Sequence, residues 1–504
     1  MLLEMKDIVK MYGSLAANDH VNLHLKQGEI LAIVGENGAG KSTIMKILYG
    51  LEKATSGEIY LNGEKQSFHS PSDAMSCGIG MVQQHFMLFE SMTVAENIVY
   101  ARELRKGIFM DTKKMNDTIR QLSETYRLPI DPERIVQDYP VGMQQRVEIL
   151  KVLYQNAELI VFDEPSAVLT PLEVEELLKT MKRLAEMGKS LIIITHKLSE
   201  VMAVADRIVV MRAGEVVAER NKEDTDVQEL SYLMVGRHVI TKEIPPYHSH
   251  SAILSVEGLT LYGEGKKILD DISLHVDDGE IVGIAGVSGN GQDRLIQCLA
   301  GLDQVDAGHV FLDQTEVTNR RVHEIREAGM AHIPEDRYRW GSAPEGTLYE
   351  NTLIGYEKEY SSHGVLSVRQ VYGHAADMIE DYNVKAGSVF QKIRELSGGN
   401  AQKLIAAREI GKNTRFLIAC EPTRGIDIGA IEYIHSKLIE KRSKGDGILL
   451  VSSELSEIMT LSDRIYVIYE GQIRGEFCRG KIDERKLGFL MTGGQLDEYE
   501  RTID

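Results

Sequence analysis

No run of about 18 uncharged apolar residues occurs anywhere in the 504-residue chain, so no segment reads as a transmembrane helix. Any work at a membrane would go through a partner. Cysteine is scarce: Cys77, Cys298, Cys420 and Cys478 are the whole set, and no two form a CxxC pair. That disfavours a disulfide scaffold and a zinc site, and makes a reducing compartment the default. Positive charge is outnumbered, with 57 Lys and Arg against 76 Asp and Glu and a formal net charge of −19. General nucleic-acid binding needs clustered Lys and Arg and is disfavoured as a class, although a local basic patch is not. The opening residues MLLEMKDIVKMYG carry acids and no long apolar run, so no secretory leader is expected. What is present is the composition of a globular protein, 43% hydrophobic and 26% charged, in a chain long enough for two to four domains.

The chain repeats itself. GEILAIVGENGAGKST starts at Gly28 and GEIVGIAGVSGNGQDR at Gly279, an offset of 251 residues. LIVFDEPSAVLT recurs as FLIACEPTRGID, with Glu164 matching Glu421 at an offset of 257, so the second copy carries about six extra residues between the two motifs. A period this long means duplicated domains, because solenoid repeats run about 20–50 residues. The join, RHVITKEIPPYHSHSA from Arg237 to Ala252, holds two prolines, three histidines and serines and reads as an extended linker. Its histidines have neither the spacing nor the acids of a metal site. Within each half, short Ile/Val/Leu runs alternate with amphipathic stretches such as Pro171 to Gly188, the pattern of parallel strands buried on both faces in an α/β fold. Residues from about 86 to 150 show few strand signals and read as a mainly helical insertion.

In the first half, Gly35-Glu36-Asn37-Gly38-Ala39-Gly40-Lys41-Ser42-Thr43 fits GxxxxGK[ST] between a strand pattern and a helix pattern. Such a loop turns its backbone N–H groups inward on an anion, and the following helix points its positive end at phosphate. Lys41 adds a point charge near the β/γ oxygens, and Ser42 can ligate Mg²⁺. Asp163 and Glu164 follow an apolar strand, at the carboxyl end where parallel sheets bind ligands. Asp163 would hold Mg²⁺ through water, and Glu164 would orient and polarise an attacking water. His196, after LIIIT, is placed to sense the γ-phosphate, with a structural strand-end histidine as the competing reading. Gln84 is a candidate link between Mg²⁺, the attacking water and the helical insertion, with Gln83 as its neighbour and rival. Tyr12 could stack on adenine or be an ordinary strand-end aromatic.

Together with Leu396-Ser397-Gly398-Gly399-Asn400, these motifs resemble the ATP-binding cassette (ABC) superfamily, whose signature loop LSGGQ is matched here with Asn for Gln. The resemblance covers nearly the whole chain. GVSGNGQ and EPTRGID look like the fused ATPase subunits of bacterial importers for ribose, galactose and related sugars or for nucleosides. MVQQHFML with MTVAEN, and VGMQQRVE, look closest to the nucleoside branch. The resemblance implies an α/β chain of two tandem P-loop NTPase domains at 1–237 and 253–504, joined by a linker at 238–252. Each would have a mainly parallel sheet core, an antiparallel β part and a helical subdomain. It implies an ATPase using ATP and Mg²⁺ at the cytoplasmic face of a bacterial membrane. Its partners would be two membrane permease subunits and, indirectly, an extracytoplasmic solute-binding protein, with no nucleic acid. In this family two cassettes pair head to tail, each ATP lying between one P-loop and the opposite signature loop.

By that logic the two sites differ. The second P-loop has Gly286 and Gly291 but puts Gln292 where Lys41 stands and Asp293 where Ser42 stands. Cys420 replaces Asp163, Ser453 replaces His196, and Glu335 approximates Gln84. Glu421 remains, but a base with no anchored metal and water has little to act on. The first half's signature reads Tyr139-Pro140-Val141-Gly142-Met143, where Pro140 lacks both a hydroxyl and an N–H. Asp427 matches the loop that reaches the opposite P-loop, and Thr170 is its counterpart. The intact residues, Ser397, Gly398, Gly399 and Asp427, therefore serve the intact P-loop, and the losses gather in the other site. The expectation is one hydrolytic site and one that binds nucleotide without efficient turnover. A soluble tandem ABC ATPase acting on ribosomes or nucleic acid is the alternative, disfavoured by the short linker, the degenerate site and the acidic charge; an ABC regulator that binds nucleotide without transport is a third.

Overall fold

The computed structural model describes residues 1–494 except 14, 37, 84, 85, 107, 108, 167, 168, 237–243, 246–250, 264, 288 and 427. The chain divides into two compact units, Met1–Val239 and Ile240–Asp504. In the first, the runs rich in β-branched residues become strands buried on both faces, Ile30–Val34, Leu159–Asp163 and Ser190–Ile194. They pair in parallel, with Ile33 opposite Ile194 on one side and Val209 on the other. The strand Ile79–Val82 closes one edge, and the antiparallel pair Arg207–Arg212 and Glu215–Asn221 closes the other. A separate four-stranded antiparallel sheet holds Leu3–Tyr12, Leu15–Leu25, Ser56–Leu61 and Glu64–Gln66. Between the sheets lies one core built from Leu3, Met5, Ile8, Ile33, Ile44 and Ile194 among others. Each such fully buried aliphatic side chain stabilises by roughly 1.5–3 kcal/mol.

The second unit repeats this plan strand for strand, with Ile281–Ala285, Phe416–Cys420 and Gly447–Val451 at the centre. Both copies keep the same buried ion pair within the parallel sheet, its arginine also bonded to the antiparallel sheet. Arg207 Nε lies 2.7 Å from Glu29 Oε1 while its Nη2 donates to the His24 carbonyl. Arg464 Nε lies 2.9 Å from Glu280 Oε1 while its Nη2 donates to the His275 carbonyl. Removing the arginine would leave a buried carboxylate without its cation, a loss of about 3–5 kcal/mol.

The insertion at 86–150 is mainly helical, with Val94–Val99, Thr112–Tyr126 and Val141–Tyr154. It also contains a two-stranded hairpin, Arg105–Lys106 with Phe109–Met110, too short to leave a periodic signal in the sequence. Three of the second half's extra residues fall before the helix Leu348–Leu353, in the segment 334–347 that follows the strand Met330–Ile333. Within the stretch read as linker, Ile244 packs on the second unit's core and the Pro245 carbonyl accepts from Arg442 Nη2 at 3.1 Å. Ile244 is apolar, and burying it outweighs staying extended in solvent.

Candidate functional site

At the carboxyl end of Ile30–Val34 the chain turns through Gly35 into the helix Lys41–Leu48. Gly40 caps that helix at φ 97°, and a Cβ there would sit 2.3 Å from the Ala17 carbonyl oxygen, so only glycine fits. No side chain caps the helix, which leaves its first N–H groups to an anion. The buried Asn18 donates from Nδ2 to the Gly40 carbonyl at 3.0 Å and pins the loop. Lys41, 5% exposed, folds back so that Nζ donates to the carbonyls of Gly35 at 2.7 Å and Glu36 at 2.9 Å. Burial pulls its pKa down, opposed by Glu164, Asp163 and Glu36. Ser42 and Thr43 follow in the first turn, Ala39 is buried and Gly38 is exposed.

Asp163 ends its strand beside this loop, and Ser42 Oγ donates to its Oδ1 at 3.3 Å. Burial and the neighbouring Glu164 charge raise the Asp163 carboxyl above its ordinary value. A hydroxyl and a carboxylate that gain from a nearby cation form a hard oxygen donor set, which fits Mg²⁺. Glu164 holds a left-handed backbone at φ 46°, its N–H donating to the Ile194 carbonyl at 2.9 Å. A non-glycine residue kept in that region stores strain, which fits a functional turn. His196 Nδ1 lies 3.3 Å from Glu164 Oε1, and this contact, the largest influence, holds the Glu164 carboxyl below its ordinary value. Lys41, Ser42, Asp163, Glu164 and His196 thus meet at the carboxyl ends of the central strands. Tyr12 ends its strand 46% exposed, hydrogen-bonded to Glu52 and with Lys10 Nζ 5.0 Å from its ring centroid. Asn37, Gln84 and Asp427 lie outside the described residues.

In the second unit the backbone is the same and the chemistry is not. Gly291 caps the helix Gln292–Leu299 at φ 105°, and Asp293 stands in its first turn. Gln292 Oε1 is buried and finds no hydrogen-bond donor; a Cβ on Gly286 would meet it at 2.9 Å, so the amide fills part of the loop. Cys420 is buried, and burial with the Glu421, Glu335 and Asp293 charges pushes its thiol well up, so it offers no anion to a metal. Glu421 repeats the strained φ of 46° and the amide bond to Val451 at 2.8 Å. Its carboxylate is satisfied by Ser453, which donates from N at 2.6 Å and from Oγ at 3.1 Å. Glu335 pairs with Arg424 at 3.1 Å.

Burial raises the Glu421 carboxyl from 4.5 to about 7, against the bonds from Ser453. The folded carboxyl therefore holds its proton to higher pH than the unfolded one, and the second unit loses stability as pH rises from 4.5 through about 7. Glu421→Gln is expected to remove this dependence and raise the second unit's melting point at about pH 8, an effect on the order of 2–3 kcal/mol. Calorimetry at about pH 5 and pH 8 checks it; a loss of stability at pH 8 in the variant would refute it.

The two signature segments open helices of equal length. Ser397 caps Gly398–Gly411, its Oγ accepting from the Asn400 N–H at 3.4 Å and from Asn400 Nδ2 at 2.8 Å. Gly399 lies against the next turn, where a Cβ would be 3.1 Å from the Gly425 oxygen. Pro140 caps Val141–Tyr154 with no side-chain bond, and a Cβ on Gly142 would lie 2.3 Å from Glu173 Oε1. Thr170 caps Pro171–Glu186 through a capping box with Glu173. Sequence reasoning passed over Tyr262, 52% exposed and one residue before the end of the strand Ala252–Gly263, much as Tyr12 stands at the end of its strand in the first unit. The recurrence of Met-Tyr-Gly as Leu-Tyr-Gly carried that signal.

The family model described as ABC transporter matches residues 18–167 and 269–424, more than half of the chain. The nucleoside import ATP-binding protein NupA of Lactococcus lactis subsp. cremoris is 45% identical over 501 residues, 99% of this chain and 99% of that protein. The guanosine import ATP-binding protein NupO of Bacillus subtilis is 46% identical over 501 residues, 99% of this chain and 98% of that protein. Among solved structures, the archaeal ribosome recycling factor aABCE1, crystallised with the stalk protein aP1, aligns over 94% of this chain and 90% of that one with a TM-score of 0.63. At 19% identity that likeness shows the fold alone. Among the described residues no helix is long and apolar enough to cross a membrane.

Proposed function

The chain belongs to the ABC transporter family, and from that premise we propose that it is the ATP-hydrolysing subunit of an importer, energising uptake of a nucleoside through two partner permease subunits at the cytoplasmic face of the membrane. A simple sugar is the second solute class. The nucleoside reading leads because two relatives named for nucleoside and guanosine import match this chain end to end. An extracytoplasmic solute-binding protein delivers the cargo. The ribosome-associated alternative has in its favour only a likeness of fold.

The observation that carries the reading is the convergence of Lys41, Ser42, Asp163, Glu164 and His196 at the carboxyl ends of the central strands. The loop amides and the amino end of Lys41–Leu48 receive the β- and γ-phosphates. Lys41, released from the Gly35 and Glu36 carbonyls, neutralises their charge. Ser42, and Asp163 through water, would hold Mg²⁺, which would supply further neutralisation of the phosphates. Glu164 accepts a proton from the attacking water, and His196 keeps that carboxylate ionised and turned toward the γ-phosphate. Tyr12 stacks on adenine. Ser397, Gly398, Gly399 and Asp427 of the second unit close over the same nucleotide in a head-to-tail pairing. The site built on Gln292, Asp293 and Cys420 binds nucleotide without efficient turnover.

Co-expression with nucleoside-type permease subunits is expected to give a co-purifying complex that, in vesicles, takes up nucleoside only with ATP and the binding protein present. A chain that sediments with ribosomes and leaves the permeases behind would refute the reading. Uptake of ribose or galactose in place of nucleoside would refute only the solute assignment.

A further inference from the structure

We propose that two charges, the guanidinium of Arg337 and the carboxylate of Glu173, decide which signature helix can close on ATP. Arg337 positions the second unit's signature, and Glu173 obstructs the first unit's. The inference rests on the head-to-tail reading above and assigns to that site two residues outside its motifs.

Arg337 lies in the segment between the strand Met330–Ile333 and the helix Leu348–Leu353. Its Nη1 donates to the Gly398 carbonyl, and its Nη2 donates to the Arg424 carbonyl at 3.3 Å. One planar group thus ties the first residue of the signature helix to the turn that leads to Asp427. These are the two pieces the second unit would present to the opposite P-loop. A Cβ on Gly398 would meet Arg337 Nη1 at 2.9 Å, so the close approach depends on the glycine. Its hydrogen bonds go to neutral carbonyls, and the adjacent Asp336 carboxylate offsets its charge only in part, so the guanidinium adds to the positive end of the helix. The neighbouring Arg424 is instead paired with Glu335.

The first unit inverts this arrangement. At the 251-residue offset the place of Arg337 is taken by Phe86. At the 257-residue offset Ala430 is the counterpart of Glu173. Glu173 Oε2 accepts from the Thr170 N–H and hydroxyl, both at 2.9 Å, which fixes the carboxylate. Its Oε1 then lies beside the amino end of Val141–Tyr154, 2.3 Å from where a Cβ on Gly142 would stand. The nearby cations are engaged elsewhere: Arg146 with Glu176, Lys179 with Glu175 and Arg183 Nη1 with the Arg127 carbonyl. An anion held at a helix amino end neutralises the dipole and repels a second anion.

The test uses the full chain in its permease complex. Arg337→Gln is expected to lower kcat for ATP about tenfold and raise KM, with ADP affinity at the Lys41 site unchanged, because ADP needs only the first unit. Arg337→Lys, which keeps the charge and one donor, is expected to recover at least a third of the rate. Glu173→Gln keeps the capping box, since Gln serves at that position. It is expected to slow ATP release from the non-hydrolysing site about tenfold while kcat stays unchanged. Wild-type kcat in Arg337→Gln would overturn the positioning role. Equal losses in the Gln and Lys variants with a lowered melting point of the second unit would make Arg337 structural and overturn it too. Unchanged ATP release in Glu173→Gln would overturn the obstruction. Turnover that survives Lys41→Ala would instead sink the site assignment itself, so the two failures are distinguishable.

Discussion

Lys41→Ala is expected to cut ATP turnover by about 10²- to 10³-fold, whereas Gln292→Ala leaves it nearly unchanged. The magnitude follows from where the charge sits. Lys41 is buried, already drawn into the loop by two carbonyls and flanked by Asp163 and Glu164. A cation there is desolvated before ATP arrives, so its pull on developing phosphate charge is little diluted by water. Removing it also leaves the Asp163 and Glu164 carboxylates offset only by Lys46 on one side and by His196 and Lys197 on the other. Gln292 occupies the matching place in the second unit as a neutral amide with an unpartnered oxygen, and its truncation removes no charge. Phosphate release from the two purified variants, with thermal melts as a control for folding, checks the contrast. Equal losses from both would mean that the two sites work alternately.

The duplication was legible because its carriers are contiguous. A strand, a glycine loop and a helix start each leave a short pattern, and both copies kept them. Even the strained turns at Glu164 and Glu421 recur at the same φ of 46°. The strained backbone and the Ser453 bonds give Glu421 a structural place although Cys420 stands where Asp163 stands in the first copy. What the sequence did not disclose are contacts between distant segments. Glu173 lies 31 positions from Gly142, and Arg337 lies 61 from Gly398. Neither pair has a motif, since any loop that brings the side chain within reach would serve. The hairpin Arg105–Lys106 with Phe109–Met110 was hidden for another reason: two-residue strands have no alternation to read.

Glu164→Gln is expected to lower kcat by about 10²- to 10³-fold while leaving ATP binding intact, because the amide keeps the shape and loses the base. The same exchange at Glu421 is expected to leave turnover unchanged. The pH profile separates the two carboxylates independently of mutation. His196 holds Glu164 below the ordinary 4.5, so the base stays ionised through neutral pH and is lost only as pH falls through that lowered value. Burial holds Glu421 at about 7, so a reaction using it as base would climb through neutrality as the proton leaves. A rate that is flat from about pH 6 to 8 and coincides with that of Glu421→Gln assigns the base to Glu164. His196→Ala removes the strongest influence lowering Glu164, and is expected to move the acid limb of the profile upward as well as to slow the reaction. A slower reaction with an unmoved acid limb would mean that His196 touches the γ-phosphate and leaves the base unaided.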